Sequence, residues 1–385
     1  MVEFLNNFKF LRIVKKYDGN RYVKHFTCWN QLLTLMFGQL CNRASLRDLI
    51  VALQAHQEKC YHLGVGKHVT RSNLAKANEN RDYRIFEDFA FYMIEQARKK
   101  RVNDIFKLDG NVYAFDSTTI DLCLQMFPWA KFRKHKGGIK VHTLYDVETQ
   151  VPAFIHVTEA KVNDIKAMDA IPYESGSYYV FDRAYNDHKR LFKIHMNDSF
   201  FVVRAKKNIK CKNIKCKNIK WKRRMPKNVL SDCEIEFSGF YSHKAYPERL
   251  RMVRYWDEDD QREFTFLTNA EHISALQVAN LYKNRWQVEL FFKWLKQHLR
   301  IKKFWGTSEN AVKIQVYTAI TAYCLVAIMQ HDMQLDRSTY EVLQILGISL
   351  MDKTPLMDLF SKTKFNNVKD QSGLYGPDLF ENFKF

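Results

Sequence analysis

Arg285, Glu289 and Lys296 follow Tyr282 at offsets of 3, 7 and 14 residues. At about 100° per residue those offsets place all four side chains on one narrow stripe of a helix. An aromatic ring, a cation, a carboxylate and a second cation make a poor core stripe. They suit a carboxylate metal ligand flanked by donors to a phosphate. The competing reading is a surface ion-pair face, because Arg285 and Glu289 are four residues apart and can simply pair. Leu281, Leu290, Phe291, Phe292, Trp294 and Leu295 surround the stripe. They predict a largely buried helix over 274–299 and weaken the ion-pair reading.

Metal-assisted phosphoryl transfer uses two divalent ions roughly 3.5–4 Å apart, and hard ions such as Mg²⁺ take carboxylate oxygens. One glutamate therefore needs partners from other elements. Asp104, Asp109, Asp121, Asp187 and Asp198 are available, but most aspartates are caps or surface groups, so position has to select. Val112–Thr118 reads as a strand candidate ending at Asp116, followed by strands at Ile139–Tyr145 and Ala153–Thr158. A short helix from Asn163, a strand ending at Asp182, an amphipathic helix over 185–196 and a strand from Ser199 complete the series. Three strands, a helix, a strand, a helix and a strand is the order of a ribonuclease-H-like fold, whose sheet presents acidic residues near the ends of its first and fourth strands. Asp116 and Asp182 fall there.

Around this core the composition speaks of a polyanionic partner. Sixty-one Lys and Arg against 42 Asp and Glu leave a formal net charge of +19 over 385 residues, which points to nucleic acid. Residues 1–105 read as short helices. There Arg43, Arg47, Lys67, Arg71, Lys76 and Arg81 can grip duplex DNA in helix-turn-helix style, or form the solvated face of a bundle. Residues 205–271 read as a strand-rich insertion. It opens on a five-residue repeat, Lys-Asn-Ile-Lys-Cys, at 207–211 and 212–216, with a variant ending in Trp221. From Arg204 to Lys227 half the residues are basic and none is acidic, as a solvated loop or a phosphate-tracking segment would be. The eight cysteines are scattered, and the N-terminus has no basic segment followed by an apolar run. Reduced thiols in a cytoplasm are therefore expected. A zinc site on Cys211 and Cys216, with Cys233 or His243, is disfavoured because the paired-ligand spacing is absent. The apolar run Ile314–Met329 is too short for a bilayer and reads as a buried core helix; no membrane association is expected.

Tyr282-Lys-Asn-Arg285-Trp-Gln-Val-Glu289, continuing to Lys296, resembles the Y-(2)-R-(3)-E-(6)-K signature of DDE transposases of the insertion-sequence-four type. Ala114-Phe-Asp116-Ser-Thr-Thr and Phe181-Asp182-Arg-Ala-Tyr185 are similar to that family's two aspartate motifs. Gly138-Ile-Lys140-Val-His142 matches the stretch between them. Thr70–Asn78 and Phe304–Asn310 are similar to segments flanking the core. Ala184 stands where a glycine is common, and the Lys-Asn-Ile-Lys-Cys repeat is outside the family pattern.

The resemblance implies an α/β protein in four parts. They are a helical DNA-binding domain (1–105), a ribonuclease-H-like core with Asp116 and Asp182 (106–204), a β-rich basic insertion (205–271), and the Glu289 helix with a C-terminal helical region (272–385). It implies catalysis and metal binding by Asp116, Asp182 and Glu289 with Mg²⁺, Mn²⁺ substituting. Tyr282, Arg285 and Lys296 would contact DNA phosphates. Double-stranded element ends and target DNA, a homodimer in a synaptic complex, and a bacterial cytoplasm in association with the nucleoid follow. An aromatic ring stacks a flipped base in some members; Trp129, Trp221, Trp256 and Trp286 are the choices, Trp286 having a plain helix-packing alternative. Lys140 and His142 either approach the site or serve across the strands.

Overall fold

The computed structural model describes residues 2–62, 64–65, 69–101, 105–216, 226, 228–352 and 354–361. Lys67, Asp104, Trp221 and the third copy of the basic repeat lie outside them.

Six helices come first: α1 (Asn7–Lys16), α2 (Cys28–Leu40), α3 (Leu46–Ala55), α4 (Gln57–His62), α5 (Arg71–Asn80) and α6 (Arg84–Lys100). Asn6, Thr27, Ser45 and Thr70 start four of them by accepting a backbone N–H with their side chains. α2 is buried on nearly every face. Its Gly38 is required by a close approach, since a Cβ there would stand 2.5 Å from the Trp305 ring.

The strands follow: β1 (Val112–Leu122), β2 (Lys131–Arg133), β3 (Lys136–Asp146), β4 (Val151–Glu159), short helix α7 (Asp164–Ala167), β5 (Tyr178–Phe181), α8 (His188–Met196) and β6 (Phe200–Arg204). Beyond them lie β7 (Cys211–Cys216), β8 (Val229–Phe237), α9 (Phe240–Ala245), β9 (Leu250–Asp257) and β10 (Arg262–Thr268). All ten form one sheet in the order β2-β3-β1-β5-β6-β10-β9-β8-β7, with β4 paired to β3. The central strands β1, β5 and β6 run parallel, and β5 is buried on both faces, as the near-continuous apolar run Tyr178–Phe181 requires. The segment 205–271 thus lengthens the core sheet, because β10 pairs antiparallel with β6.

Helices α10 (Ala275–Asn284), α11 (Trp286–His298), α12 (Glu309–Asp332), α13 (Thr339–Ser349) and α14 (Leu356–Phe360) close the chain. α12 is long and apolar enough to cross a membrane, but 94% of its apolar window is buried inside the protein. It fills the centre of a core shared by α2, α6, α11 and one face of the sheet. The N-terminal helices therefore pack on the same core as the strands, each fully buried Leu, Ile or Phe contributing roughly 1.5–3 kcal/mol.

Three expectations need correction. The helix over 274–299 is interrupted at Arg285, where i→i−3 bonds (Arg285 N–H to Tyr282 O, 3.1 Å; Val288 N–H to Arg285 O, 3.2 Å) tighten the turn between α10 and α11. The thiols are not all reduced. β7 and β8 place Cys216 directly opposite Cys233, with Cα atoms 4.0 Å apart, and the two are joined as a disulfide. Arg81 is not a DNA-facing cation: its guanidinium donates to the Phe26 and Thr27 carbonyls and to Gln31 Oε1, tying α5 to the start of α2. Arg47, Arg71 and Lys76 are exposed on the helical region and Arg43 is partly so.

Candidate active site

Asp116 and Asp182 meet because β1 and β5 are parallel neighbours in register, Phe115 opposite Phe181. The residue after each phenylalanine carries a carboxylate to the same end of the sheet, about one strand spacing (~4.8 Å) from the other. Asp116 lies within β1; Asp182 immediately follows β5, at the turn into Arg183–Tyr185. α11 packs against β1 and β3 and brings Glu289 over them.

The side chains are knit together. Arg285 donates from Nη1 to Asp116 Oδ2 (3.0 Å) and from Nη2 to Glu289 Oε1 (2.6 Å). Tyr282 donates its hydroxyl to Asp182 Oδ1 at 3.0 Å, its ring buried against Phe264 and Phe266. Lys296 Nζ donates to the Thr119 carbonyl of β1 at 3.0 Å, and burial lowers its pKa. All six side chains singled out by type and spacing are therefore brought into one neighbourhood. Here the cations and the phenol hold carboxylates and a carbonyl.

Burial dominates the electrostatics. It pushes the Asp116 carboxyl up to about 6, with Glu289 and Asp182 adding to the rise and Ser117 N–H and Arg285 opposing it. The Tyr282 phenol is pushed up to about 12, chiefly by burial and then by Asp182. Three carboxylates from three elements with a single bridging guanidinium form a donor set of hard oxygens short of positive charge. That is the chemistry a divalent cation fits. Among the described residues no group of three or more His, Cys, Asp or Glu side chains converges as a ready-made cage; Arg285 stands between Asp116 and Glu289.

A second layer gathers around Asp164, which the sequence alone does not single out. Ser117 donates its backbone N–H to Asp116 Oδ1 (2.8 Å) and its hydroxyl to Asp164 Oδ1 (2.7 Å). Lys140 Nζ reaches Asp164 Oδ2 (3.1 Å) and the Val162 carbonyl (2.9 Å). Lys140 thus pins α7 to β1 and β3. His142 is fully buried, its Nε2 2.9 Å from Thr158 Oγ1, and burial pushes its pKa down to about 4. Asp164 follows a helix-capping Asn163 and looked like any first-turn acid. No local pattern marked its reach to Ser117.

Beside Asp182 opens a cleft of about 440 Å³ lined by Arg204, Tyr255, Phe264, Tyr282, Lys283, Arg285 and Trp286. Trp286 is 57% exposed there, so its helix-packing reading fails. Trp129 instead donates its Nε1–H to the Thr307 carbonyl at 2.7 Å, and Trp256 is 37% exposed on β9.

Tyr282→Phe keeps the buried ring and removes only the hydroxyl on Asp182. It is expected to lower the melting temperature by a few degrees, a hydrogen bond to a charged acceptor being worth roughly 1.5–3 kcal/mol. Thermal unfolding of variant and wild type side by side checks this.

Residues 107–325 match the family model described as a transposase DDE domain, and residues 1–66 match a domain of unknown function (DUF4372). A protein of Sinorhizobium fredii named as a transposase, y4zB, is 33% identical over 279 residues, which is 71% of this chain and 75% of that one. A Geobacillus stearothermophilus protein named as the transposase of insertion sequence element IS5377 is 32% identical over 54% of each chain. One of Synechocystis, named for element IS4SA, is 24% identical over 75% of this chain and 80% of its own. With the transposase domain model spanning more than half its length and its carboxylates gathered at one end of the sheet, the chain belongs to the DDE transposases of insertion sequences.

Proposed function

We propose that this chain binds the ends of its own element as double-stranded DNA and catalyses strand cleavage and strand transfer, in a cut-and-paste reaction, at a site made by Asp116, Asp182 and Glu289. The observation that carries the reading is the bridge itself: one guanidinium, Arg285, spans the first and third carboxylates while the Tyr282 hydroxyl holds the second. The strand order β4-β3-β1-β5-β6, with its parallel centre, supports a ribonuclease-H-like core, and the Tyr282–Lys296 spacing supports the insertion-sequence-four type.

Two Mg²⁺ ions, or Mn²⁺ in their place, would supply positive charge at the attacking and leaving oxygens, held by Asp116, Asp182 and Glu289. The chain's own part is to position. Arg285, freed from the carboxylates, presents two parallel donors to a non-bridging phosphate oxygen. Tyr282 orients Asp182 and offers its hydroxyl to the same phosphate. Lys296, half-buried against β1, fixes the α11 helix and adds a cation at the far side. Trp286, exposed beside Asp182, is the best-placed ring to receive a base turned out of the duplex. Arg47, Arg71 and Lys76 on the helical region 1–105 extend the grip on the element end, and two copies of the chain hold two ends in synapsis.

The test is a synthetic duplex carrying the element's terminal repeat, incubated with the protein, Mg²⁺ and a target plasmid. Cleavage at the repeat boundary and covalent joining of the freed 3′ end are expected. Cleavage without joining would replace strand transfer by hydrolysis alone. A companion measurement places 2-aminopurine at the end: a base stacked on the indole is quenched, so the bound probe should be brighter with Trp286→Ala than with wild type, and equal fluorescence would remove Trp286 from that role.

A further inference from the structure

The basic repeat has found no place in the site above, and its environment argues for one of its own. Among the described residues β7 is the last strand of the sheet, five strand spacings or about 24 Å from β5. Lys207, Lys210, Lys212 and Lys215 are exposed on it and on the segment leading into it. Several surface cations elsewhere are paired, such as Lys99 with Glu95, Arg254 with Glu263 and Lys283 with Asp259. Among the described residues no carboxylate lies within ion-pair distance of these four. Lys212 and Lys215 face Glu236 and Glu234 across the ladder, but Glu234 is engaged by Arg249 at 3.1 Å and Glu236 lies 3.7 Å from His243.

A second feature adjoins them. Ser238 donates its backbone N–H to the Lys210 carbonyl. The helix that starts two residues later, α9, opens on Phe240 and Tyr241, 76% and 84% exposed, with ring centroids 5.4 Å apart. Two large rings left in water close in the chain to the strand partner of Lys210 are costly unless something covers them. A nucleic acid strand with unpaired bases offers both phosphates at lysine spacing and flat faces for rings, and the chain belongs to a family that acts on DNA. A duplex hides those faces.

We propose that the β7 edge and the Phe240–Tyr241 pair form a binding surface for a single DNA strand, the lysines tracking phosphates and the rings stacking bases. The inference rests on the transposition reading, in which strands are parted near the cut, and it assigns this chain's own repeat to holding one of them away from the carboxylates.

The test uses the full chain in EDTA, with fluorescein-labelled dT20 and a 20-base-pair duplex as probes in fluorescence anisotropy. Phe240→Ser with Tyr241→Ser should weaken dT20 binding roughly 10- to 100-fold and duplex binding less than about twofold. Lys212→Gln with Lys215→Gln should reduce the slope of log affinity for dT20 against log salt by about 1.4, at roughly 0.7 per released phosphate contact. Both pairs are exposed, so unchanged melting temperatures are expected and are measured alongside. Unaltered dT20 affinity in the ring variant would overturn the proposal. So would a ring variant that sediments as a smaller assembly than wild type, since the rings would then cover a second copy. Because no metal is present, lost cleavage chemistry does not disturb these measurements. A protein that binds dT20 as expected yet never cuts an element end would lose the cleavage reading alone.

Discussion

Glu289→Gln is expected to bind element-end DNA within about threefold of wild type and to cut it at least about 10³-fold more slowly, a loss of roughly 4 kcal/mol of transition-state stabilisation. Glu289 sits in the first turn of α11, where its Oε1 accepts from Arg285 at 2.6 Å. Glutamine preserves length and the acceptor oxygen, so Arg285 keeps a partner and the helix keeps its packing through Val288, Phe291 and Phe292. What changes is one unit of negative charge facing Asp116. A hard cation bound by oxygen donors loses its strongest ligand type, while contacts elsewhere to DNA phosphates are untouched. Gel-shift affinity in EDTA and cleavage of the same labelled duplex in Mg²⁺ separate the two effects. Equal cutting by variant and wild type would remove Glu289 from the reaction.

The proximity of the candidate side chains was legible where local periodicity and strand order were enough to place a residue. Glu289 and its three companions declared themselves by spacing, and Asp116 and Asp182 by the strands that carry them. Long-range contacts were not legible. The interruption at Arg285 involves no glycine or proline. It coincides with a guanidinium held to Asp116, 169 residues away in sequence, and no window on the helix alone contains that partner. Arg81 looked like any other basic residue of the N-terminal helices, yet backbone carbonyls of 26 and 27 claim it. Asp164 became significant only when β3 and β4 delivered Lys140 to it. The disulfide depends on a register shift between Asn213 and Lys215 that sets Cys216 against Cys233, which a repeat of period five cannot reveal. Strands run through 205–271, and their addition to the sheet hangs on three ladder pairs between β10 and β6.

Asp116→Asn is expected to abolish cleavage and yet to stabilise the metal-free protein. Burial and the neighbouring Glu289 and Asp182 raise the Asp116 carboxyl from 3.8 to about 6. A folded-state value above the unfolded one means that the native protein holds the proton more tightly. Between those two values stability therefore falls as pH rises, and above about 6 the full penalty of an ionised, desolvated carboxylate is present. The shift corresponds to on the order of 3 kcal/mol. Asparagine carries no charge, so the ionisation penalty vanishes; its single oxygen accepts from either Arg285 or the Ser117 N–H, and the other donor gives up its bond to this side chain. In EDTA at pH 8 the variant should melt a few degrees above wild type, and the gap should close as pH approaches 4. Millimolar Mg²⁺ should reverse the order: a ligand that binds only the folded wild type raises its stability by mass action, while the variant, with one carboxylate fewer, gains little. Differential scanning fluorimetry over pH 4–8, with and without Mg²⁺, reads both signs at once. A variant that melts below wild type at pH 8 in EDTA would show that the ion pair with Arg285 outweighs desolvation, and that the three carboxylates are held together by Arg285 rather than kept under strain for a cation.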